Sequence, residues 1–349
     1  MQKVTGSNPV GPIAYKKDKG IPLSFFFKEN VLISRNVSKL LRSLAILIVI
    51  ASHYAEWYYL DHPYPMLRHA ISTWGPPGVD IFFLLSGYGL YKSFKSAGKI
   101  DGLFILKRIL AVYLPYILLE LGLSIYHREM FFTSAEGLVN FFTAGEFWFL
   151  NVIFVIYIAF ILCFAFGRKA ALPILACAVT GYSIWLNESG HFDFWTLSNH
   201  AFLIGIIAAA GEERFSKLYT RRNELILMTA ALAGAVISFF VMQKYGGSGQ
   251  AESYAAELVM NIFISLAVLG AAYLLPDIKT GVFGLIGEAS LFIYILHTTM
   301  FYAIIFKLEK LGLGWGIVIT AAITIVFAVI LYKLYSLLSA AILKKCVKA

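Results

Sequence analysis

Charge is what this chain lacks first. Asp, Glu, Lys and Arg together make up 14% of its 349 residues, where a soluble domain carries about a quarter. Hydrophobic residues fill 59% and the mean hydropathy is +0.75, which excludes an ordinary soluble fold and points to an integral membrane protein. Cysteine is scarce as well. The three present, Cys163, Cys177 and Cys346, have neither metal-site nor disulfide spacing, and Cys163 and Cys177 read as packing residues inside apolar runs. The Walker phosphate loop, His-Glu-x-x-His, Gly-x-Ser-x-Gly and Cys-x-x-Cys are all missing, which removes the chemistries those motifs carry. No metal site is expected. No repeat, low-complexity tract or signal-peptide layout is present, and the Gly312–Gly316 run lacks a nucleotide fingerprint.

What is present is a series of apolar runs of about 17–25 residues without alternation, the pattern of membrane-spanning helices. Ten spans are read, near 40–60, 76–92, 108–127, 146–166, 169–187, 196–211, 224–243, 254–275, 282–306 and 314–341. The expected fold is all-α, a polytopic membrane helix bundle. A cytoplasmic tail over 1–38 precedes a transmembrane domain over 39–341, and a basic cytoplasmic tail over 342–349 follows. Phe25-Phe26-Phe27 is placed at the interface. With the N-terminus inside, 22 of the 29 Lys and Arg fall in cytoplasmic segments and 5 in external loops, at Arg68, Arg128, Lys244, Lys307 and Lys310. The positive-inside rule thus places both termini in the cytoplasm. It also explains the net charge of +9 as topology, so no nucleic-acid partner is expected.

Polar residues within the runs are the candidate site. Arg42 and His53 lie eleven positions apart on the first span, which in a helix brings them to within roughly 20° of one face and ~16 Å apart along it. Ionisable groups at membrane depth persist mostly where they line a cavity or find a partner. Glu56 follows His53 by three and can share its face. His297, in Tyr294-Ile295-Leu296-His297, lies at similar depth on the ninth span. Ser86-Gly87 falls mid-depth on the second span, where small residues permit close helix approach. Glu120 lies on the third span, Arg108 opens it beside Lys107, and Glu146-Phe147-Trp148 opens the fourth. The recurrence of polar groups at comparable depth predicts a lined cavity. Intramembrane His and Glu also suit a non-enzymatic transporter or flippase of a glycan or lipid-linked intermediate, working as a proton relay.

Five stretches in this order resemble the acyltransferase-3 family of bacterial membrane acyltransferases. They are Arg42-x10-His53, Gly78-Val79-Asp80-Ile81-Phe82-Phe83-Leu84-Leu85-Ser86-Gly87-Tyr88, Lys107-Arg108-Ile109 to Pro115, Phe147-Trp148-Phe149-Leu150 to Tyr157, and Tyr294-Ile295-Leu296-His297. Two positions depart from the family pattern: Lys39 stands where an aspartate is common, and Val112 where a second arginine is. The resemblance implies a multi-pass protein of the bacterial cytoplasmic membrane that moves an acyl group, usually acetyl from acetyl-CoA, to a hydroxyl of a surface or exported glycan. Under that resemblance Arg42 and Arg108 suit the donor's phosphates, with Ser86 and Trp148 also assigned to donor binding. His53 is the expected base, with His297 or Tyr294 the donor to the oxyanion; independently of the resemblance, the spacing offers Glu56 as the carboxylate that orients His53.

Overall fold

A computed structural model describes residues 31–58, 71, 74–127, 134–166, 168–214, 216–218, 220–245, 251–308 and 315–348. Phe25-Phe26-Phe27, most of the N-terminal tail, the loop cations Arg68, Arg128 and Lys310, and the start of the Gly312–Gly316 run lie outside them. Among the described residues there is no strand. The helices are α1 (Arg35–Tyr58), α2 (Gly75–Ala97), α3 (Gly102–Arg108), α4 (Leu114–His127), α5 (Ala135–Thr143), α6 (Trp148–Phe166) and α7 (Ala171–Glu188). They continue as α8 (Asn199–Gly211), α9 (Arg221–Tyr245), α10 (Ala251–Leu274), α11 (Gly281–Glu288), α12 (Ser290–Leu308) and α13 (Trp315–Lys348).

Among the described residues eight segments are long and apolar enough to cross a membrane. Helices α2 and α7 occupy the two remaining positions of the ten-span reading. The ninth expected span is two helices, α11 and α12, broken at Ala289. The third combines α3, a π-helical turn over Ile109–Tyr113 and α4. Residues expected as a C-terminal tail continue α13 as far as Lys348. Large apolar side chains cover the outer faces: Ile237 and Phe240 on α9 and Val326 and Leu337 on α13 are more than half exposed. Such faces belong in lipid. Cys163 is buried, whereas Cys177 points outward. The expected packing role thus holds for Cys163 on α6 and not for Cys177 on α7, which is exposed.

Between helices in lipid there is no water to expel, so association depends on close packing and hydrogen bonds. The seam between α2 and α8 shows this. A Cβ added at Gly87 would collide with the carbonyl oxygen of Phe202, and one at Gly205 with that of Leu84. The two backbones therefore touch. The same seam ends at Glu212, which is 3% exposed. Its carboxylate accepts from the Tyr88 hydroxyl at 2.6 Å, pairs with Lys92 and takes the N–H of Leu32. Tyr88 in turn accepts from the N–H of Ile33 at 3.2 Å. A buried carboxylate is tolerable because several donors surround it, and they fasten the segment before α1 to the bundle. Asp101 starts α3 by accepting from the N–H of Phe104 at 2.9 Å, an N-cap. That bond, first of several causes, holds its carboxyl below the ordinary range.

The backbone contact at Gly87 makes a direct prediction. Gly87→Ala should lower stability by about 1–3 kcal/mol or prevent accumulation of folded protein, as overpacking does. Gly89→Ala on the same helix, where an added Cβ meets nothing within 4 Å, should leave the melting temperature unchanged or raised. Thermal unfolding of both variants in detergent decides it.

Candidate active site

A cavity of about 2020 Å³ enters the bundle between α1, α2, the α3–α4 segment, α6 and α12. Its lining is rich in cations, Arg35, Lys39, Arg42, Lys92, Lys107, Arg108 and Arg221, with the carboxylates Asp101, Asp277 and Glu288 among them. His53, Phe82, Trp148, Phe149 and Tyr294 line it as well. The expected alignment on α1 holds: Arg42 and His53 open onto one hollow.

The guanidinium groups of Arg42 and Arg108 are each held by a hydroxyl and keep donors spare. Arg42 Nη2 donates to Ser38 Oγ at 3.1 Å, an i, i−4 contact along α1. Arg108 Nη2 donates to Ser93 Oγ at 3.4 Å, and its guanidinium lies 5.6 Å from the centre of the Phe104 ring. The Nε atoms of both arginines are buried without a hydrogen-bond partner among the described residues. Lys39 is paired with Glu288 at 2.6 Å. Planar donor forks with open positions are suited to phosphate oxygens.

The π-turn shapes this wall. In a π-turn N–H groups bond five residues back, and the N–H of Leu114 reaches the carbonyl of Ile109. The next link would join residue 115 to the carbonyl of Leu110, but Pro115 has no N–H to give. The hydroxyl of Tyr335 on α13 donates to that carbonyl at 2.5 Å instead. Arg108, Ala111 and Val112 all line the cavity from this short stretch.

At His53 the structure brings two helices together. Its Nδ1 stands 2.7 Å from Nε2 of His297, and the rings are near parallel, 5.0 Å apart at 16°. Nδ1 of His297 meets the carbonyl oxygen of Tyr294. The Tyr54 hydroxyl donates to the backbone carbonyl of His297 at 3.0 Å. Trp57 stacks on both imidazoles, with centroids at 5.2 Å from His53 and 5.6 Å from His297.

Of the residues singled out in the sequence, Arg42, His53, Ser86, Arg108, Trp148 and Tyr294 line the cavity. Glu56 and His297 do not. Glu56 was expected to orient His53; the group the structure shows at Nδ1 of His53 is His297. Ser38, Ser93, Tyr54 and Trp57 were not foreseen. Ser38 could have been found from its i, i−4 spacing to Arg42 and Trp57 from its i, i+4 spacing to His53; Ser93 and Tyr54 touch partners on different helices and leave no local signal. Asp80, central in its motif, is fully buried and off the cavity. The Ser198 hydroxyl faces it, without closing a hydrogen bond of good geometry to either carboxylate oxygen. Among the described residues no group of three or more His, Cys, Asp or Glu is arranged to hold a metal ion.

The family model described as an acyltransferase domain, Acyl_transf_3, matches residues 38–333. The chain belongs to the acyltransferase-3 family. This acyltransferase is a multi-pass membrane protein, and the matched region contains the whole cavity except its N-terminal rim. Comparison with curated proteins and with solved structures gave no match.

The Tyr335 contact is testable. Tyr335→Phe leaves the Leu110 carbonyl without its donor, which should cost about 1–3 kcal/mol of stability. A variant that melts with the wild type would show that the π-turn does not depend on α13.

Proposed function

We propose that this acyltransferase takes an acyl group, most simply acetyl, from cytoplasmic acyl-CoA and transfers it to a hydroxyl of a cell-surface or exported glycan. The observation that carries the reading is one cavity lined by the guanidinium groups of Arg42 and Arg108 and by the imidazole of His53, which lies further along the helix of Arg42. Phosphate groups of the donor bind Arg42 and Arg108, Ser86 and Trp148 flank the arm, and the thioester reaches toward His53. A pantetheine arm extends over the ~16 Å that separates positions 42 and 53 along α1.

His53 takes the proton of the acceptor hydroxyl as its oxygen attacks the thioester carbonyl. The oxyanion that forms needs a donor. Both ring nitrogens of His297 are engaged, so the phenol of Tyr294, which lines the cavity, is the better candidate. Collapse breaks the C–S bond, and the proton leaves on the CoA thiol. Membership of an acyltransferase family sets the non-enzymatic transporter reading aside. The protein acts in the bacterial cytoplasmic membrane with both termini inside, so that the arginines of the cavity meet the CoA pool.

Three variants test this, read by CoA release from acetyl-CoA in nanodiscs and by mass spectrometry of surface glycans. His53→Ala should lower kcat by at least about 10²-fold while the protein still inserts and folds. Arg42→Gln should raise the KM for acetyl-CoA by about 10–100-fold, the value of hydrogen bonds to a charged group. Tyr294→Phe should lower kcat by about 10–10³-fold with KM little changed. Glycan acylation at the wild-type level in His53→Ala cells rejects His53 as the base.

A further inference from the structure

What prepares His53 for proton transfer is written in the contacts behind it. We propose that His297 is a positioning residue that fixes the tautomer of His53, through a relay from the Tyr294 carbonyl to His297 and from His297 to His53. The inference rests on the acyl-transfer reading and specifies how its base is set.

The direction of the relay follows from donor and acceptor capacity. A carbonyl oxygen only accepts, so Nδ1 of His297, facing the carbonyl of Tyr294, carries the proton. A neutral imidazole has one N–H, which leaves Nε2 of His297 as a bare lone pair. That nitrogen is 2.7 Å from Nδ1 of His53, a hydrogen-bond distance. Two lone pairs cannot share that distance, so Nδ1 of His53 is the donor. The remaining nitrogen of His53, Nε2, is then the bare one, which is the form a general base requires.

The geometry is fastened from both sides. Helix α1 grips one turn of α12 twice with adjacent residues: His53 meets the His297 side chain, and Tyr54 donates to the His297 backbone carbonyl. Trp57, one turn on, stacks over both rings. His297 is 3% exposed and is not part of the cavity wall, so its influence on the reaction passes through His53. A neutral imidazole in this place orients the base as a carboxylate would, without setting a second charge at membrane depth.

The step balances. The acceptor O–H gives its proton to Nε2 of His53 while its oxygen bonds to the thioester carbon. The C–S bond breaks, the proton passes to the departing thiolate, and ester and thiol result. While His53 holds the extra proton, its Nδ1–H stays bonded to His297. The relay therefore governs kcat and not the affinity for acyl-CoA.

Protein labelled with ¹⁵N-histidine in nanodiscs tests this directly. Seven histidines are present, and His53→Gln and His297→Gln assign the two that matter. NMR of the wild type is expected to show protonated Nδ1 and bare Nε2 on both. In turnover, His297→Phe should lower kcat by about 10²–10⁴-fold, as loss of a tautomer-fixing partner does, with the KM for acyl-CoA within about threefold. His297→Gln sets an amide oxygen near the position of Nε2 and should regain at least about tenfold over the Phe variant. A bare Nδ1 on His53 in active enzyme, or equal rates for the Phe and Gln variants, overturns the relay and leaves the enzyme reading standing. The expected tautomers in a wild type that releases no CoA with any acceptor overturn the enzyme reading alone. Should His297→Phe fail to fold, the wild-type spectrum and the Gln variant still decide.

Discussion

A 2.7 Å contact between two imidazoles sets the terms for the rest of this structure. At membrane depth no water is on hand to satisfy a polar group, so each needs a protein partner or an opening. His297 is satisfied on both nitrogens, and His53 keeps one nitrogen beside the cavity. That arrangement requires α1 and α12 to stay in register. A second tie joins α1 to α11, the helix that leads into α12: Lys39 pairs with Glu288, fourteen residues before His53 and ~21 Å along α1. Also between α1 and α11, Ser43 donates to the carbonyl of Phe283, and a Cβ at Gly287 would collide with the carbonyl of Lys39. Arg42 sits inside this fastened stretch, so its position relative to His53 is rigid.

The other wall depends on an irregularity. Pro115 breaks the hydrogen-bond ladder of the α3–α4 segment, and the π-turn before it needs a donor from elsewhere. Tyr335 provides one, which binds the longest helix to the wall carrying Arg108. The departure at Val112, where the family commonly has an arginine, falls in the same turn and lines the cavity. Lys39 and Lys92 also line the cavity, each paired with a carboxylate, Glu288 and Glu212.

Several features were readable without coordinates and several were not. Apolar runs foretold the helices, and the motifs foretold which of them meet at the site. The break at Ala289 was not foreseen, because Gly287-Glu288-Ala289-Ser290 is a short polar interruption with no proline inside a longer apolar run. Its setting is tertiary, with Glu288 turned to Lys39 and Gly287 pressed on the α1 backbone. Glu56 seemed the natural companion for His53 because i, i+3 neighbours share a helix face. Tertiary packing brings His297, from another helix, to Nδ1 of His53.

By itself the sequence determined the helical bundle, since a bilayer admits few other backbone forms, and it determined that Arg42 and His53 share a side, since eleven residues are close to three whole turns. It also carried the family motifs. Tertiary structure alone decided what His53 touches, which arginine donors remain open, and that Asp80 lies apart from the cavity. The reason is physical. Helical periodicity relates residues a few positions apart, whereas His53 and His297 are 244 positions apart, and only the packing of two whole helices brings their nitrogens together.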